Sequence, residues 1–304
     1  MTLKDIEYFV VMAREKSISR AAEQLFVAQP ALSQCLQKLE KEMNVRLFVR
    51  SSRGVQLTSE GECFLAFAEN VLREKRDLGK RVQDVENAEN GSVTVGFTGT
   101  QASYVLPYIL PAFQEKHPGV TITLVEATSD EIEEKLLRRE VDVGILHLPV
   151  LHSELDYFEI SRDDMVIIPR SNSGYQSYVY HKTGEERPYL NMEFLREEPM
   201  ILTPSRQRSR MVCDQLLANA GIVPHVKQTS RNLSTLDALA QVDYATTIMP
   251  EKQVSPQLRR RGVFRIDESV AVTYSFVAAT LRGAYLPIPA QKLCQEFRRR
   301  QYTF

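Results

Sequence analysis

Gln29, Ser33, Gln34, Gln37 and Lys38 share one face of a helical repeat, opposite an apolar stripe of Ala31, Leu32, Leu36, Leu39 and Met43. A glutamine amide pairs bidentately with adenine and a serine hydroxyl donates or accepts, so this face offers what reading base edges requires. Residues 46–57 then read as strand, glycine-containing turn and strand, with Arg50 and Arg53 at the tip. Guanidinium groups placed there suit phosphates or the minor groove. Chemistry of another kind is absent from the motifs. There is no nucleophile elbow, P-loop or dinucleotide fingerprint. The four cysteines (Cys35, Cys63, Cys213, Cys294) show no CxxC spacing and the five histidines are dispersed, so no metal site, disulfide, cofactor or enzymatic activity is expected.

Three helices are needed to hold that polar face. Leu3, Ile6, Phe9, Val10 and Ala13 recur at helical spacing and predict a helix over 3–14. Ser17 and Ser19 offer N-caps for a short helix over 20–25, whose Ala21-Ala22 pair lets a neighbour approach closely. After a break at Phe26-Val27-Ala28, Gln29-Pro30 opens a third helix that ends at Asn44, a residue suited to a left-handed C-cap. In a helix-turn-helix the N-terminal residues of the last helix reach into the major groove. On spacing alone, an ordinary small domain fits this pattern as well as a DNA reader does. Residues 58–87 predict one long helix, with Ser59 and Glu62 at capping-box spacing. Phe64, Val71, Leu78 and Val85 recur every seven residues with Ala68 and Val82 between them, a seam interrupted by Lys75. Such a seam predicts pairing with a second copy.

Read as a string, residues 21–61 (AAEQLFVAQPALSQCLQKLEKEMNVRLFVRSSRGVQLTSEG) closely resemble the DNA-binding domain of LysR-type transcriptional regulators. Ala21-Ala22, Leu25, Gln29 through Ser33, Leu39-Glu40, Leu47-Phe48, Arg50 and Thr58 through Gly61 carry the match. The resemblance implies that Gln29, Pro30, Ser33, Gln34 and Arg53 lie at the DNA, with Lys38 and Arg50 contacting its backbone. It also implies that the long helix is a linker that dimerises the DNA-binding domains. Three positions depart from the family: Ala28 where Ser is frequent, Cys35 where a polar residue is common, and Asn44 where Gly is usual. Of these, Cys35 is the one expected to shift base preference.

Asn90-Gly91 marks a boundary, after which strands and helices alternate: strands at 92–97, 120–126 and 141–146, helices at 103–116 and 129–139. The alternation repeats less regularly, with strands at 165–169, 200–203, 223–229 and 245–249 and helices at 206–220 and 233–241. Strands at 263–266 and 271–279 precede a last helix at 290–299. Two α/β lobes fit, with crossings near 160–164 and 267–270. Val105-Leu106-Pro107, His117 through Val120, residues 136–145 and Ile248-Met249-Pro250 again resemble LysR-type regulators. That resemblance implies an effector domain shaped like a periplasmic binding protein. The family's Gly-rich turn before the 245–249 strand is missing from Gln241-Val242-Asp243-Tyr244.

In α/β sheets ligands bind beyond the carboxyl ends of strands, near helix N-termini. That selects Thr98, Thr100, Gln101 and Ser103, then Ser129, His147, Thr203, Arg206 and Arg208, and Asn232. Hydroxyls and N–H groups there suit an anion, and an arginine can clamp a carboxylate. Ser and Thr at helix starts are nonetheless more often plain N-caps. Glu131, Glu133 and Glu134 read as the exposed side of a helix, and the arginine runs at 259–261 and 298–300 as solvated surface.

The expected organisation is a winged helix-turn-helix over 1–57, a linker helix over 58–90 and an α/β effector domain over 91–304. Lobe I would hold 91–161 with 268–304, and lobe II 162–267. Length and composition agree with a multidomain globular chain: 304 residues, 43% hydrophobic, 25% charged, net charge −1. Residues 1–57 hold nine Lys/Arg against six acids, a mild excess that permits DNA binding without demanding it. No apolar run spans a bilayer and MTLKDIEYFV does not read as a signal peptide, so no membrane partner and a cytoplasmic location are expected. The expected function is a transcriptional regulator whose DNA binding or bending responds to an anionic or carboxylate-bearing effector. Its partners would be double-stranded DNA, further copies of itself (a dimer or tetramer) and RNA polymerase. An enzyme on binding-protein lobes, a constitutive architectural DNA-binding protein, and a redox switch at Cys213 or Cys294 are the rival readings.

Overall fold

Thr2 opens the first helix: its hydroxyl accepts from the Asp5 N–H while the Asp5 carboxylate accepts from the Thr2 N–H, a reciprocal cap. The structure, a computed structural model, describes residues 1–51, 54–86 and 90–300. The side chain of Arg50 and all of Arg53 lie outside the described residues, as do the side chains of Thr100, Gln101, Ser103 and Val85. Two compact units divide the chain, Met1–Asn87 and Ala88–Phe304.

In the first unit, helices α1 (Leu3–Glu15), α2 (Ile18–Gln24) and α3 (Gln29–Met43) precede the antiparallel hairpin β1 (Phe48–Ser51) and β2 (Gly54–Leu57). Helix α4 (Ser59–Glu86) follows. One core joins them, built from Ile6, Phe9, Met12, Ala21, Leu32, Leu39, Leu47, Phe64 and Ala68. Phe9 meets Phe64 edge-on, with centroids 4.6 Å apart. Ser17, not Ser19, caps α2, which therefore begins at Ile18. Thr58, not Ser59, caps α4: its hydroxyl accepts from the Gly61 N–H at 2.9 Å and donates to the Arg46 carbonyl at 2.7 Å. Glu40 ties α3 to the hairpin by accepting from the Leu47 and Phe48 N–H groups. Two glycines are sterically required. A Cβ on Gly54 would stand 2.2 Å from the Lys16 carbonyl oxygen, and one on Gly61 2.1 Å from that of Leu47. Along α4, Phe64 and Ala68 are buried in this unit's own core, whereas Leu78 and Val82 are exposed. Lys75, the seam's interruption, pairs with Glu7 of α1 at 2.7 Å.

The second unit begins with β3 (Ser92–Phe97), α5 (Gly99–Lys116), β4 (Thr121–Glu126), α6 (Ser129–Leu137), β5 (Val143–His147) and β6 (Leu155–Asp163). It continues through β7 (Met165–Ile168), β8 (Val179–Tyr180), β9 (Tyr189–Leu190), β10 (Pro199–Leu202), α7 (Arg208–Asn219) and β11 (His225–Thr229). Last come α8 (Leu233–Gln241), β12 (Thr247–Pro250), α9 (Pro256–Arg261), β13 (Phe264–Arg265), β14 (Tyr274–Leu281) and α10 (Ile288–Arg299). One sheet has the order β4-β3-β5-β14-β6, and a second the order β12-β7-β13-β9-β8, with β10 and β11 paired in parallel beside it. The chain passes from the first sheet to the second between Asp163 and Met165 and returns into β14 at Tyr274, which is paired with Asp163.

Several boundaries differ from the sequence reading. Strand β6 was not foreseen, because LDYFEISRD mixes charge with apolar residues where one face of an edge strand meets solvent. Helix α9, only six residues long, was also unforeseen. Asp243 adopts a left-handed φ of 58° at the turn before β12, a conformation that glycine takes at least cost and Asp tolerates. The arginine run at 259–261 is not simply solvated: Arg259 donates to the Val254 carbonyl, and Arg261 to the Ala240 and Pro169 carbonyls and to Asp243.

Candidate DNA interface and inter-lobe site

Helix α3 buries Leu32, Cys35, Leu36 and Leu39 and leaves Ala28, Gln29, Pro30, Ala31, Gln34, Gln37 and Lys38 exposed, with Ser33 half-buried. Ala28 provides no side-chain cap, and Gln29 accepts from the Ser19 hydroxyl at 3.2 Å. Lys38 forms an ion pair with Asp5 at 2.8 Å. That bond holds the Asp5 carboxyl down at about 2 and raises the Lys38 ammonium. Its charge is thus partly answered within the unit. Cys35 does not belong to the exposed face. Its thiol lies in the core against Asp5, and burial, reinforced by that carboxylate, pushes it up to about 11. The thiol is therefore not placed to touch a base edge directly. Burial likewise raises Cys213 to about 12 and Cys294 to about 11, which disfavours reactive thiolates at either position.

The seven effector candidates whose side chains are described separate once their partners are known; the side chains of Thr100, Gln101 and Ser103 lie outside the described residues. Asn232 is a plain N-cap of α8, accepting from the Ser234 N–H. Ser129 opens α6, whose N-terminus is closed by the Thr128–Glu131 capping box. Arg206 is exposed in the turn before α7, which begins at Arg208. Thr203 is buried with its hydroxyl 2.9 Å from that of Ser209. Thr98 stands at the N-cap of α5, where its buried Oγ1 has no partner. His147 ends β5, stacked on Tyr274 with ring centroids 3.8 Å apart and with an unpartnered Nδ1. Burial, with a contribution from the Arg208 charge, holds its pKa well below the usual histidine range, so the ring is neutral at pH 7.

Arg208 joins the lobes. Its side chain is 3% exposed, with Nη2 2.7 Å from Glu133 Oε1 and Nη1 2.8 Å from Asp130 Oδ1, both on α6. The Arg208 Nε has no partner. Glu133 is fully buried and also accepts from the Leu151 and His152 N–H groups at 2.9 and 3.0 Å. It is therefore not on the solvated side of its helix. One feature of the sequence pointed that way: Glu133 sits beside Ile132 and one turn from Leu136, within the buried stripe. Asp130, Ser209 and Tyr274 also escaped the sequence reading. Glu126 is exposed at the end of β4; a Cβ on Gly99 would stand 2.3 Å from its Oε1, which places a carboxylate over the start of α5.

Among the described residues no cluster of three His, Cys, Asp or Glu is arranged to hold a metal, and no helix is long and apolar enough to cross a membrane.

Residues 3–62 match the family model of bacterial regulatory helix-turn-helix proteins of the lysR family, and residues 86–301 that of the LysR substrate binding domain. The HTH-type transcriptional regulator AlsR of Bacillus subtilis (strain 168) is 29% identical over 82% of this chain and 80% of its own. The Hca operon transcriptional activator HcaR of Escherichia coli (strain K12) is 36% identical over 55% and 56% respectively. Full-length CbnR complexed with its target DNA superposes with a TM-score of 0.64 at 24% identity, covering 99% of this chain and all of CbnR. The two family matches, over residues 3–62 and 86–301, make this chain a LysR-type DNA-binding transcriptional regulator with an effector-binding domain, a member of a family of regulators and not of enzymes.

Proposed function

We propose that Gln29, Pro30, Ser33 and Gln34 of α3 read DNA, with Arg50, Arg53 and Lys38 on its backbone, and that a small anionic or carboxylate-bearing effector acts between the lobes. The protein would work as a dimer or tetramer in the cytoplasm, with the exposed Leu78–Val82 stretch of α4 as its pairing seam. One observation carries the effector reading. Arg208 bridges lobe II to Asp130 and Glu133 of lobe I, and three buried polar atoms of residues expected to meet a ligand (Thr98 Oγ1, His147 Nδ1, Arg208 Nε) have no partner among the described residues. Unpaired buried polar groups are unfavourable and rare, so a bound molecule that satisfies them gains binding energy. Asp130 and Glu133 stand to Arg208 as internal carboxylates, and an effector carboxylate competes with them. A ligand that prefers one lobe arrangement shifts the population, and with it the DNA bend presented to RNA polymerase.

Binding to the protein's own upstream intergenic DNA, measured across a salt series for wild type and Ser33→Ala, tests the DNA reading. Specific, salt-sensitive binding that collapses in the variant is expected. No enrichment of any genomic fragment would overturn it. For the effector, thermal shift is measured with a panel of mono- and dicarboxylates, for wild type and Arg208→Met. A carboxylate that stabilises wild type alone is expected; stabilisation by amines only would rule out an anionic effector.

A further inference from the structure

Phe26 breaks two local rules at once. It is 96% exposed, the most exposed large apolar side chain among the described residues, and its φ is 53°. The left-handed value arises because α2 ends in a Schellman motif. The Val27 N–H donates to the Ala22 carbonyl and the Phe26 N–H to that of Glu23, which puts Phe26 at the position where glycine, or next asparagine, is preferred. The chain breaks the preference once more with a polar residue, Arg139 at φ 55° after α6, where the backbone carries the same bonds (Glu140 to Lys135, Arg139 to Leu136), and meets it after α3. Helix α3 ends in the same pair of bonds, Val45 to Glu40 and Asn44 to Lys41, with Asn44 at φ 54°. Val27 turns its side chain to the core, which accounts for its apolar character. At 96% exposure the ring packs against nothing among the unit's described residues.

We propose that Phe26 is a DNA contact: its ring packs on the apolar surface of the duplex, a thymine methyl or a deoxyribose, at the rim of the groove that α3 enters. Two residues, Val27 and Ala28, separate it from Gln29, the first residue of α3. In a helix-turn-helix that end of the helix is the one inserted among base edges. From Phe26 through Ala31 the surface is nearly continuous and largely apolar: Phe26, Ala28, Pro30 and Ala31 are exposed, with Gln29 as the polar member. Apolar side chains recognise the thymine methyl, the apolar feature of the major-groove edge. A protein partner would have to seat on this strip while DNA occupies its neighbour, so the duplex is the occupant that continuity favours. The inference rests on α3 being the reading helix, and its test separates the two.

The full chain is titrated against a duplex enriched by the wild-type protein from a random-sequence library. Wild type is compared with Phe26→Ala, Phe26→Asn, Phe26→Leu and Ser33→Ala. Phe26→Ala and Phe26→Asn are expected to weaken binding about tenfold, the size of one lost aromatic contact, with Phe26→Leu losing less. The slope of log affinity against log salt stays unchanged, because no phosphate contact is removed. Asparagine favours the left-handed backbone, so Phe26→Asn should melt no lower than wild type, which excludes misfolding as the cause. Replacing thymine by deoxyuracil in the duplex distinguishes the two surfaces. A loss for wild type that Phe26→Ala does not share identifies the methyl; no loss, with Phe26→Ala still weak, identifies the sugar. Wild-type affinity in Phe26→Ala together with a collapse in Ser33→Ala would overturn the proposal and direct the ring to a protein partner. Wild-type affinity in both would overturn the reading of α3 itself, and the proposal with it.

Discussion

Glu133 accepts three hydrogen bonds on one buried carboxylate, one from Arg208 across the lobes and two from backbone N–H groups of its own lobe, while Arg208 also pairs with Asp130. Removing one partner of a buried pair leaves the other charged and dry, which costs more than the pair ever contributed. Glu133→Ala is therefore expected to destabilise the effector unit by about 3 to 5 kcal/mol. Asp130 is half-exposed, and Asp130→Asn should lose less than about 1 kcal/mol. Urea unfolding followed by tyrosine emission separates the two, because the chain has no tryptophan and Tyr8 alone among its tyrosines lies outside the effector unit. Equal losses would mean that burial does not govern this cluster. The pair also shows where sequence reading stops. Arg208 was recognisable from its place at a helix start, but a glutamate in a run of acids looks solvated until a partner from another lobe is known. Asn232 fails in the opposite sense, since its type fits a ligand and its hydrogen bond goes to its own helix.

Elements were legible wherever one periodicity dominated a long stretch. Helices α1 and α3 emerge within a residue of their sequence-based bounds, because each has a single buried stripe and a capping residue of the right chemistry. Short or two-sided elements were not. Strands β8 and β9 hold two residues each, and β6 gets its stability from pairing with β14 rather than from its own pattern. The seam on α4 was legible as a period but not as a set of partners, since Phe64 and Ala68 serve the unit's own core. At this scale the contact between α4 and the hairpin makes a definite prediction. Gly→Ala inside a helix normally stabilises by up to about 1 kcal/mol. At Gly61 the added carbon would overlap the Leu47 carbonyl at 2.1 Å, and neither backbone can yield without disturbing the Thr58 cap. Gly61→Ala is expected to destabilise the DNA-binding unit by about 1 to 3 kcal/mol net. Helical circular dichroism during thermal melting would show the loss, and a melting point at or above wild type would refute it.

For the molecule as a whole, the two α/β lobes follow from the alternation of strand and helix, and the crossing falls where that alternation falters, in the charged stretch Arg162-Asp163-Asp164. What the alternation does not reveal is that one of these carboxyl groups is buried at the crossing. Asp163 ends β6, pairs with Tyr274 of the returning β14, and accepts from the Lys252 N–H of the other lobe. Burial outweighs that bond and pushes its carboxyl up to about 7. The folded chain then holds a proton that the unfolded chain releases near 3.8, the ordinary value. Below about pH 4 both states are protonated and Asp163 exerts no penalty. As pH rises toward 7 the unfolded state ionises alone, so the folded state loses stability across that window, by on the order of 4 kcal/mol at most. Above 7 both are ionised and the loss is constant. Asp163→Asn retains the shape without the titration. Relative to wild type, it should therefore gain stability between pH 4 and 7 and hold that gain above 7. Urea midpoints at pH 5, 6, 7 and 8 for both proteins decide the matter: a difference that grows with pH and then levels identifies a buried, neutral carboxyl at the crossing, whereas a constant difference means that Asp163 is ionised in the folded protein throughout.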